Sequence, residues 1–342
     1  MEVGSGSAHA GTHNNDVFRA QLAENSPLFL QELHMSISIP RLLIKVAPRG
    51  LSALLLSVIC LTTLHAASFE LPPLNSPASL EHHVGKVVWA DLVTPDLAAA
   101  QRFYGGLFGW TFQTIHTGNS DYAVALADGR PVGGLYQKPI AAGEHRQPAW
   151  LTFIAVRDVD AAKRQALAHG AKVVADSKSY PSRGRQAVLT DPEGAVFAIL
   201  ASSSGDAADF LAQPGEWIWS SLLSKDPGPE AAFYQTLFGY DVFDLASDDG
   251  SDHVILSSDD FARASVNAFP SGSAHRHAHW LNFIRVDSTA DSVAKAVALG
   301  GRVLVEPHVD RHGGQVAVVA DPAGAPFGLM EWTGSDSKTE PK

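Results

Sequence analysis

The sequence predicts an α+β fold in which four βαβββ units form two tandem domains. Two observations carry this prediction: an internal repeat with an offset of 130 residues, and a strand, helix and three-strand pattern that occurs twice within each copy. The chain has 342 residues, enough for two domains. It is 45% hydrophobic and only 18% charged, a composition that excludes intrinsic disorder. The formal net charge of −11, without clustered Lys and Arg, argues against nucleic-acid binding.

The repeat pairs distinctive residues of the first copy with counterparts in the second, in one register. The pairs are Trp89 with Trp219, Asp96 with Asp226, Phe103-Tyr104 with Phe233-Tyr234, Leu107-Phe108-Gly109 with Leu237-Phe238-Gly239, Trp150 with Trp280, and Asp191-Pro192 with Asp321-Pro322. Chance does not produce so many matches at one offset. We therefore predict one domain at 84–201 and another at 214–333, joined by a linker at 202–213 and followed by a polar tail at 334–342.

Each copy divides again into two similar units. In the first unit an extended run over 87–93 precedes Asp96, which is a predicted helix N-cap, and Gly109 ends the helix. The next unit repeats this order with an extended run over 151–156 and Asp158 as the cap. Strand-like runs follow both helices. Because a βαβββ unit leaves one sheet face bare, it must pair with another unit to bury that face.

The first 66 residues form a separate segment. A 14-residue uncharged run over 51–64 follows three basic residues and precedes Ala66 and Ala67. This layout predicts a signal peptide over 35–66, because a bilayer-spanning helix needs about 20 apolar residues. An uncleaved membrane anchor is the alternative. We predict that residues 1–34 are a disordered leader or start-site extension and that 67–83 is a linker. The expected location is periplasmic or secreted, with no membrane attachment after cleavage.

The single cysteine, Cys60, lies within the predicted signal peptide. The mature chain would then contain no cysteine. This suits an oxidising compartment, and it excludes thiol catalysis and thiolate metal ligands.

Two repeated motifs resemble those of the vicinal oxygen chelate superfamily, which includes glyoxalases, bleomycin-resistance proteins and extradiol dioxygenases. One motif is a strand, an Asp and a helix that carries Phe-Tyr and ends in Leu-Phe-Gly. The other is Asp-Pro-x-Gly-x-x-Phe before the last strand of each copy. The resemblance implies a tandem glyoxalase-like protein with cup-shaped mixed sheets. Because many single-copy relatives dimerise to complete their cups, it also implies a monomer produced by internal duplication.

The resemblance implies metal ligands at defined strand positions. In this sequence the strand-start positions fall on Trp89, Trp219, Leu151 and Leu281, and the carboxylate positions fall on Ala198 and Gly328. None of these side chains can bind a metal ion, so we expect no metal cofactor. Glu331 lies three residues beyond Gly328 and is therefore expected on the opposite face of the sheet.

The remaining candidates for ligand binding are aromatic and polar. Alternate strand residues share a face, which groups Trp89 with Asp91, Trp219 with Ser221, Trp150 with Thr152, and Trp280 with Asn282. The ligand positions assigned above put Leu151 and Leu281 on the cup face, so the last two pairs line a cup only if that assignment moves by one residue. Packing in the core or between domains is the alternative role for the tryptophans. If Asp91 contacts a ligand, we expect it to accept a hydrogen bond.

Three functions remain open, because function resides in the site and not in the fold. The favoured one is a bleomycin-resistance-like protein that binds a small aromatic or amphipathic molecule without a metal. The alternative is a metal-dependent lyase, isomerase or dioxygenase-type enzyme, whose site would be rebuilt from Asp91, His253, His312 or the alternating His275, His277 and His279. The third is a structural or partner-binding module.

Overall fold

The computed structural model describes residues 70–117, 120–139, 147–244, 253–269, 277–310 and 313–332. The predicted leader, signal peptide and polar tail, together with residues 67–69 of the predicted linker, therefore lie outside the described residues. The described residues follow the predicted βαβββ order four times. Among them, no helix has the length and apolar character needed to cross a membrane.

The first copy contains eight strands and two helices. These are β1 (Val87–Thr94), α1 (Leu97–Phe108), β2 (Thr111–Thr117), β3 (Ser120–Ala127), β4 (Arg130–Gln137), β5 (Ala149–Ala155), α2 (Val159–Ala168), β6 (Lys172–Tyr180), β7 (Gly184–Thr190) and β8 (Val196–Ser202).

The second copy repeats this order. Its elements are β9 (Trp217–Ser224), α3 (Pro227–Phe238), β10 (Asp241–Asp244), β11 (His253–Ser258), β12 (Phe261–Ala268), β13 (His279–Val286), α4 (Thr289–Ala298), β14 (Arg302–Val309), β15 (Gln315–Ala320) and β16 (Pro326–Glu331).

Each copy forms one mixed sheet of eight strands. The strand orders are β2-β3-β4-β1-β5-β8-β7-β6 and β10-β11-β12-β9-β13-β16-β15-β14. The first strands of the two units, β1 and β5 or β9 and β13, are antiparallel neighbours at the centre. Each first strand also pairs in parallel with the last strand of its own unit. The predicted α+β class and the four units are confirmed.

The predicted helix caps are observed in the first copy. The carboxylate of Asp96 accepts a hydrogen bond from the backbone N–H of Ala99 at 2.8 Å, and Asp158 caps α2 in the same way. At α3 the repeat predicts the same cap, and Asp226 does occupy the N-cap position, but its side chain makes no capping bond. Pro229 stands where Ala99 donates in α1, and proline has no N–H to donate. Glu193 of the first copy accepts the N–H of Asp226 at 2.8 Å, so a contact between the copies holds the chain where α3 begins.

The two copies share their hydrophobic cores. One core joins Phe197 and the second unit of the first copy to Phe233 and the first unit of the second copy. The other joins Phe103 and the first unit of the first copy to Phe327 and the second unit of the second copy. The rings of Phe103 and Phe327 meet edge to face at 6.1 Å. The helices therefore bury their apolar faces between the copies.

The repeated motif residues make two equivalent hydrogen-bonded relays between the copies. In one, the Trp150 indole N–H donates to the Tyr104 hydroxyl at 3.0 Å, and that hydroxyl donates to Asp321 at 3.3 Å. In the other, Trp280 donates to Tyr234 at 3.0 Å, and Tyr234 donates to Asp191 at 3.1 Å. The conspicuous motif residues therefore hold the two domains together.

Candidate functional site

The face of each sheet that lies opposite the helices is lined by two rows of directly paired residues. We call these faces the first cup and the second cup. The rows of the first cup are Val124-Gly134-Asp91-Leu151 and Trp89-Phe153-Ala198-Val188-Ala175. The rows of the second cup are Ile255-Ser265-Ser221-Leu281 and Trp219-Phe283-Gly328-Val318-Val305.

The first cup is filled by the chain itself. Leu71 and Leu74 are buried, with 1% and 6% of their surface exposed, and they pack in one cluster with Trp89 and the other apolar residues of this cup. The guanidinium of Arg183 lies 4.2 Å from the Trp89 ring, and its Nε donates to the carbonyl oxygen of Pro72 at 2.7 Å. The segment from residue 70 therefore occupies the space that a ligand would need.

Asp91 is engaged by donors of the first cup. One carboxylate oxygen accepts hydrogen bonds from the Trp89 indole N–H and the Tyr122 hydroxyl, each at 2.8 Å. Burial raises the pKa of Asp91, and the positive charge of Arg183 opposes that shift. Gly134 is required beside this group, because a Cβ there would collide with Asp91 and Tyr122.

The second cup carries a different polar group at the equivalent positions. Four positions differ between the cups: Asp91 is replaced by Ser221, Tyr122 by His253, Gly134 by Ser265 and Tyr136 by Asn267. Ser265 Oγ accepts from the Trp219 indole N–H at 3.1 Å and from Asn267 Nδ2 at 3.0 Å, and it lies 2.8 Å from Ser221 Oγ. The Asn267 side-chain oxygen contacts His253 Nδ1, and in this amide orientation Nδ1 is the ring nitrogen that carries the proton.

The second cup is more open than the first. On its edge strand Leu304 and Val305 are 45% and 40% exposed, whereas the equivalent residues Val174 and Ala175 of the first copy are 9% and 5% exposed. Trp219 is also only partly buried. The two copies share a fold, but they differ in how far the cup is covered.

The structure places only some of the candidate ligand residues in a cup. Trp89 and Asp91 lie in the first cup, and Trp219 and Ser221 lie in the second. Trp150, Thr152, Trp280 and Asn282 lie on the opposite face, between the copies. These four residues would line a cup only if the assignment of strand residues to the cup face moved by one position, and the structure does not have that arrangement. Their side chains bond to Tyr104, Tyr234 and each other, which fits the packing alternative.

The residues at the expected metal positions do not fit a metal centre. A Cβ at position 328 would collide with the ring of Phe283, and Ala198 is fully buried in the first cup. Glu331 accepts hydrogen bonds from the Thr289 N–H and hydroxyl at 2.7 and 3.0 Å, so it caps α4. Over the described ranges, no three His, Cys, Asp or Glu side chains are grouped as metal ligands.

The histidines named as alternatives are scattered. His275 and His312 lie outside the described residues. His279 Nδ1 bonds to the carbonyl of His277 at 2.8 Å. His253 lies beside the second cup and pairs with Asn267. The rings of His279 and His253 are thus each hydrogen-bonded to a nearby residue of their own chain segment or neighbouring strand.

Sequence reasoning missed Ser265, Asn267 and Phe283. Ser221 pairs with Ser265, whereas Asp91 pairs with Gly134, so the offset in this part of the sheet is 131. The offset returns to 130 at β5 and β13. An alignment that allowed one compensated insertion would have matched Ser265 with Gly134 and shown the change of polarity.

The chain is similar to several known proteins. The glyoxalase-like domain family matches residues 87–200 and 221–330. CFP32 of Mycobacterium tuberculosis, which is named as a glyoxylase, is 31% identical over 257 residues, covering 75% of this chain and 98% of that protein. The anthracycline biosynthesis protein DauV of Streptomyces sp. strain C5 is 31% identical over 259 residues, covering 72% of this chain and 93% of that protein.

Solved structures share the fold at low identity. The Mn(II)-bound glyoxalase from Novosphingobium aromaticivorans matches with a TM-score of 0.52 at 17% identity, covering 73% of this chain and 83% of that one. The 2,3-dioxygenase LapB from Pseudomonas sp. KL28 matches with a TM-score of 0.54 at 13% identity, covering 76% of this chain and 96% of that one. With two family matches on two repeated sheets, the chain belongs to the glyoxalase-like domain family of the vicinal oxygen chelate superfamily, as a tandem of two domains.

Proposed function

We propose that this protein binds a small aromatic or amphipathic molecule in the second cup, without a glyoxalase-type metal centre. The observation that carries the proposal is the difference between the cups. The first is filled by Leu71 and Leu74, whereas the second leaves Trp219 and its apolar edge partly exposed. Ligand sites combine apolar walls with a few placed polar groups, as the second cup does.

The composition of the second cup supports an aromatic ligand. Trp219 and Phe283 are direct neighbours in one row, and Leu281 and Ser221 are neighbours in the other. Aromatic and aliphatic walls favour flat apolar molecules, because the removal of apolar surface from water drives binding. The relatives named for anthracycline biosynthesis are consistent with a multi-ring aromatic compound.

An enzyme with a non-standard metal site is the second candidate. It is motivated by the names of the related glyoxylase, the manganese glyoxalase and the dioxygenases. The residues at the expected ligand positions argue against this enzyme. They are Trp219, Leu281 and Gly328, and none of them offers a lone pair to a metal. A catalytic metal needs about three protein ligands with a supporting set of hydrogen bonds.

The proposal is tested by a thermal-shift screen of neutral and charged aromatic compounds against the purified protein. A ligand at 100 times its Kd should add about 2.7 kcal/mol of stability. Val318→Trp would fill the second cup and should abolish the shift. Val297→Trp, on the exposed surface of α4, should leave it intact. A broad library without any shift would refute the proposal, and a shift that survives Val318→Trp would place binding elsewhere.

We also propose that the protein is exported and acts as a monomer. The signal-like layout of residues 35–66 supports export. The hydrophobic cores that the copies share support a monomer, because each copy already buries its helix faces against the other. Light scattering of the mature protein, with one chain per particle as the expected result, tests the oligomeric state.

A further inference from the structure

We infer that the molecule bound in the second cup is uncharged and accepts a hydrogen bond from the hydroxyl of Ser221. An aryl ketone is the simplest compound of this class. The inference rests on the proposed function, because it names the kind of molecule that this cup takes.

The hydrogen bonds around Ser265 fix the direction of the hydroxyl of Ser221. Ser265 Oγ has two acceptor positions, and both are used, by Trp219 Nε1 and by Asn267 Nδ2. Ser265 must therefore donate its own proton to Ser221 Oγ, 2.8 Å away. Ser221 is left with an O–H donor for which the described part of the chain supplies no acceptor.

The Asn267 amide orientation supports this direction. Its side-chain oxygen faces His253 Nδ1, so its nitrogen faces Ser265. A flipped amide would require the other tautomer of His253 and would leave Ser265 without that donor. The chain from His253 through Asn267 and Ser265 thus delivers a donor at Ser221, in a residue that is only 6% exposed. A buried donor without an acceptor costs stability, and a ligand acceptor would remove that cost.

The charges of the first cup are absent from the equivalent positions of the second. Asp91, which accepts from its neighbours, is replaced by Ser221. Arg183 corresponds to Gly313 at the repeat offset. The two rows of the second cup contain no Asp, Glu, Lys or Arg among their described residues. Arg285 shares this face of β13, but its guanidinium is already bound to the carbonyl oxygen of Ala212 at 2.7 Å. A charged ligand would therefore lose its hydration without gaining a counter-ion in these rows, which is strongly unfavourable.

The surroundings of Ser221 define the rest of the ligand. Leu281 is its direct neighbour on β13, and Trp219 and Phe283 form the adjacent row. The donor is therefore set in an apolar and aromatic wall. A flat ring system with one carbonyl oxygen would satisfy the donor and cover the rings.

The test compares three naphthalene probes of similar shape by isothermal titration calorimetry with the full mature protein. The probes are 2-acetonaphthone, which is neutral and has a carbonyl acceptor, 2-isopropenylnaphthalene, which lacks the acceptor, and 2-naphthoate, which is an anion. We expect 2-acetonaphthone to bind about fivefold more tightly than 2-isopropenylnaphthalene, the gain from one neutral hydrogen bond. We expect 2-naphthoate to bind most weakly.

Variants of β9 identify the donor. Ser221→Ala should remove the preference for the ketone, and Ser221→Thr, which keeps a hydroxyl, should restore it. Ser220→Ala is the matched control, because Ser220 points to the opposite face and bonds to Asn282. It should leave the preference unchanged.

The outcomes separate this inference from the proposed function. If none of the probes binds, the inference fails, whereas the proposed function fails only when the broad thermal-shift screen also gives no shift. If the two neutral probes bind equally, or if 2-naphthoate binds best, the donor assignment is wrong while small-molecule binding in the cup stands. A preference for the ketone that survives Ser221→Ala would also overturn the inference.

Discussion

Thr152 and Asn282 occupy equivalent positions in the two copies and hydrogen-bond to each other. Thr152 Oγ1 lies 3.1 Å from the Asn282 side-chain oxygen and 3.0 Å from its nitrogen. A residue that meets its own repeat counterpart lies on the approximate two-fold axis that relates the copies. Ser220 also donates to Asn282 at 2.8 Å. This small polar group, buried in an apolar interface, fixes the register between the domains.

Removal of the Asn282 amide should destabilise the fold. Asn282→Ala leaves the buried hydroxyls of Thr152 and Ser220 without a partner, and we expect a loss of about 2 kcal/mol in the free energy of unfolding. Urea denaturation measures the change. A double-mutant cycle with Thr152→Ala should show a coupling of at least about 0.5 kcal/mol. Strictly additive effects would mean that the two side chains do not interact.

The stability of the protein should depend on the ionisation of Glu230. This side chain is 2% exposed in the first turn of α3, where its counterpart is Ala100. Burial, then repulsion from the carboxylates of Asp191 and Glu193, raises the pKa of Glu230 far above its ordinary value of 4.5. We therefore expect the folded state to hold a proton on Glu230 that the unfolded state releases.

The sign of the pH dependence follows from that proton. The free energy of unfolding should fall as pH rises from about 4.5 towards the raised pKa, by at most about 1.4 kcal/mol per pH unit. Glu230→Gln should flatten this slope and make the variant relatively more stable at alkaline pH. Glu306→Gln, on the exposed strand β14, serves as control. Parallel profiles for the wild type and Glu230→Gln would show that Glu230 is ionised in the folded protein.

The segment that fills the first cup should contribute strongly to stability. Leu71→Ala would leave a cavity beside Trp89, and we expect a loss of about 2–4 kcal/mol. Leu80→Ala is the matched control, because Leu80 is 75% exposed, and it should change stability by less than about 0.5 kcal/mol. Thermal and urea unfolding provide the measurement. Equal effects of the two variants would show that Leu71 does not pack in the cup.

The purified protein should contain no stoichiometric Zn, Ni, Fe or Mn. Elemental analysis by plasma mass spectrometry tests this, with the chelated protein as the reference. Gly328→Glu, which restores a carboxylate at the family position, should not create a site. It should instead destabilise the fold, because its Cβ would collide with Phe283. One tightly held metal per chain, lost together with an activity on chelation, would favour the enzyme.

Export should yield a mature chain that begins near Ala66 or Ala67. The basic residues and the uncharged run before this point are the reason. N-terminal sequencing of protein from fractionated cells is the measurement. A mature chain that retains residues before Leu51, or protein confined to the cytosol, would contradict the prediction.

Much of the fold could be predicted from local patterns. The 130-residue repeat gave the two copies, and Asp96, Gly109 and the strand-like runs gave the βαβββ order, because caps, stops and alternation depend on nearby residues. Asp226 shows where this fails. Pro229 removes the N–H that its side chain would bind, and the start of α3 is held by Glu193 of the other copy, a contact that no local pattern reveals.

The candidate site was only partly predictable. Trp219 and Ser221 were found because alternate strand residues share a face, and the same rule left Trp150 and Trp280 undecided between two faces. Their role depends on Tyr104 and Tyr234, which approach only after the helices pack.

The sequence by itself determined the duplication, the order of the strands and helices, and the lack of metal-binding side chains at the family's ligand positions. Only the tertiary structure decided which cup is filled, because Leu71 and Leu74 reach the first cup through packing that has no periodic signal. It also brought Ser265 and Asn267 beside Ser221, since register across strands is set by the sheet as a whole. The two copies share one order of strands and helices, but their cups differ in polar groups and in how far they are covered.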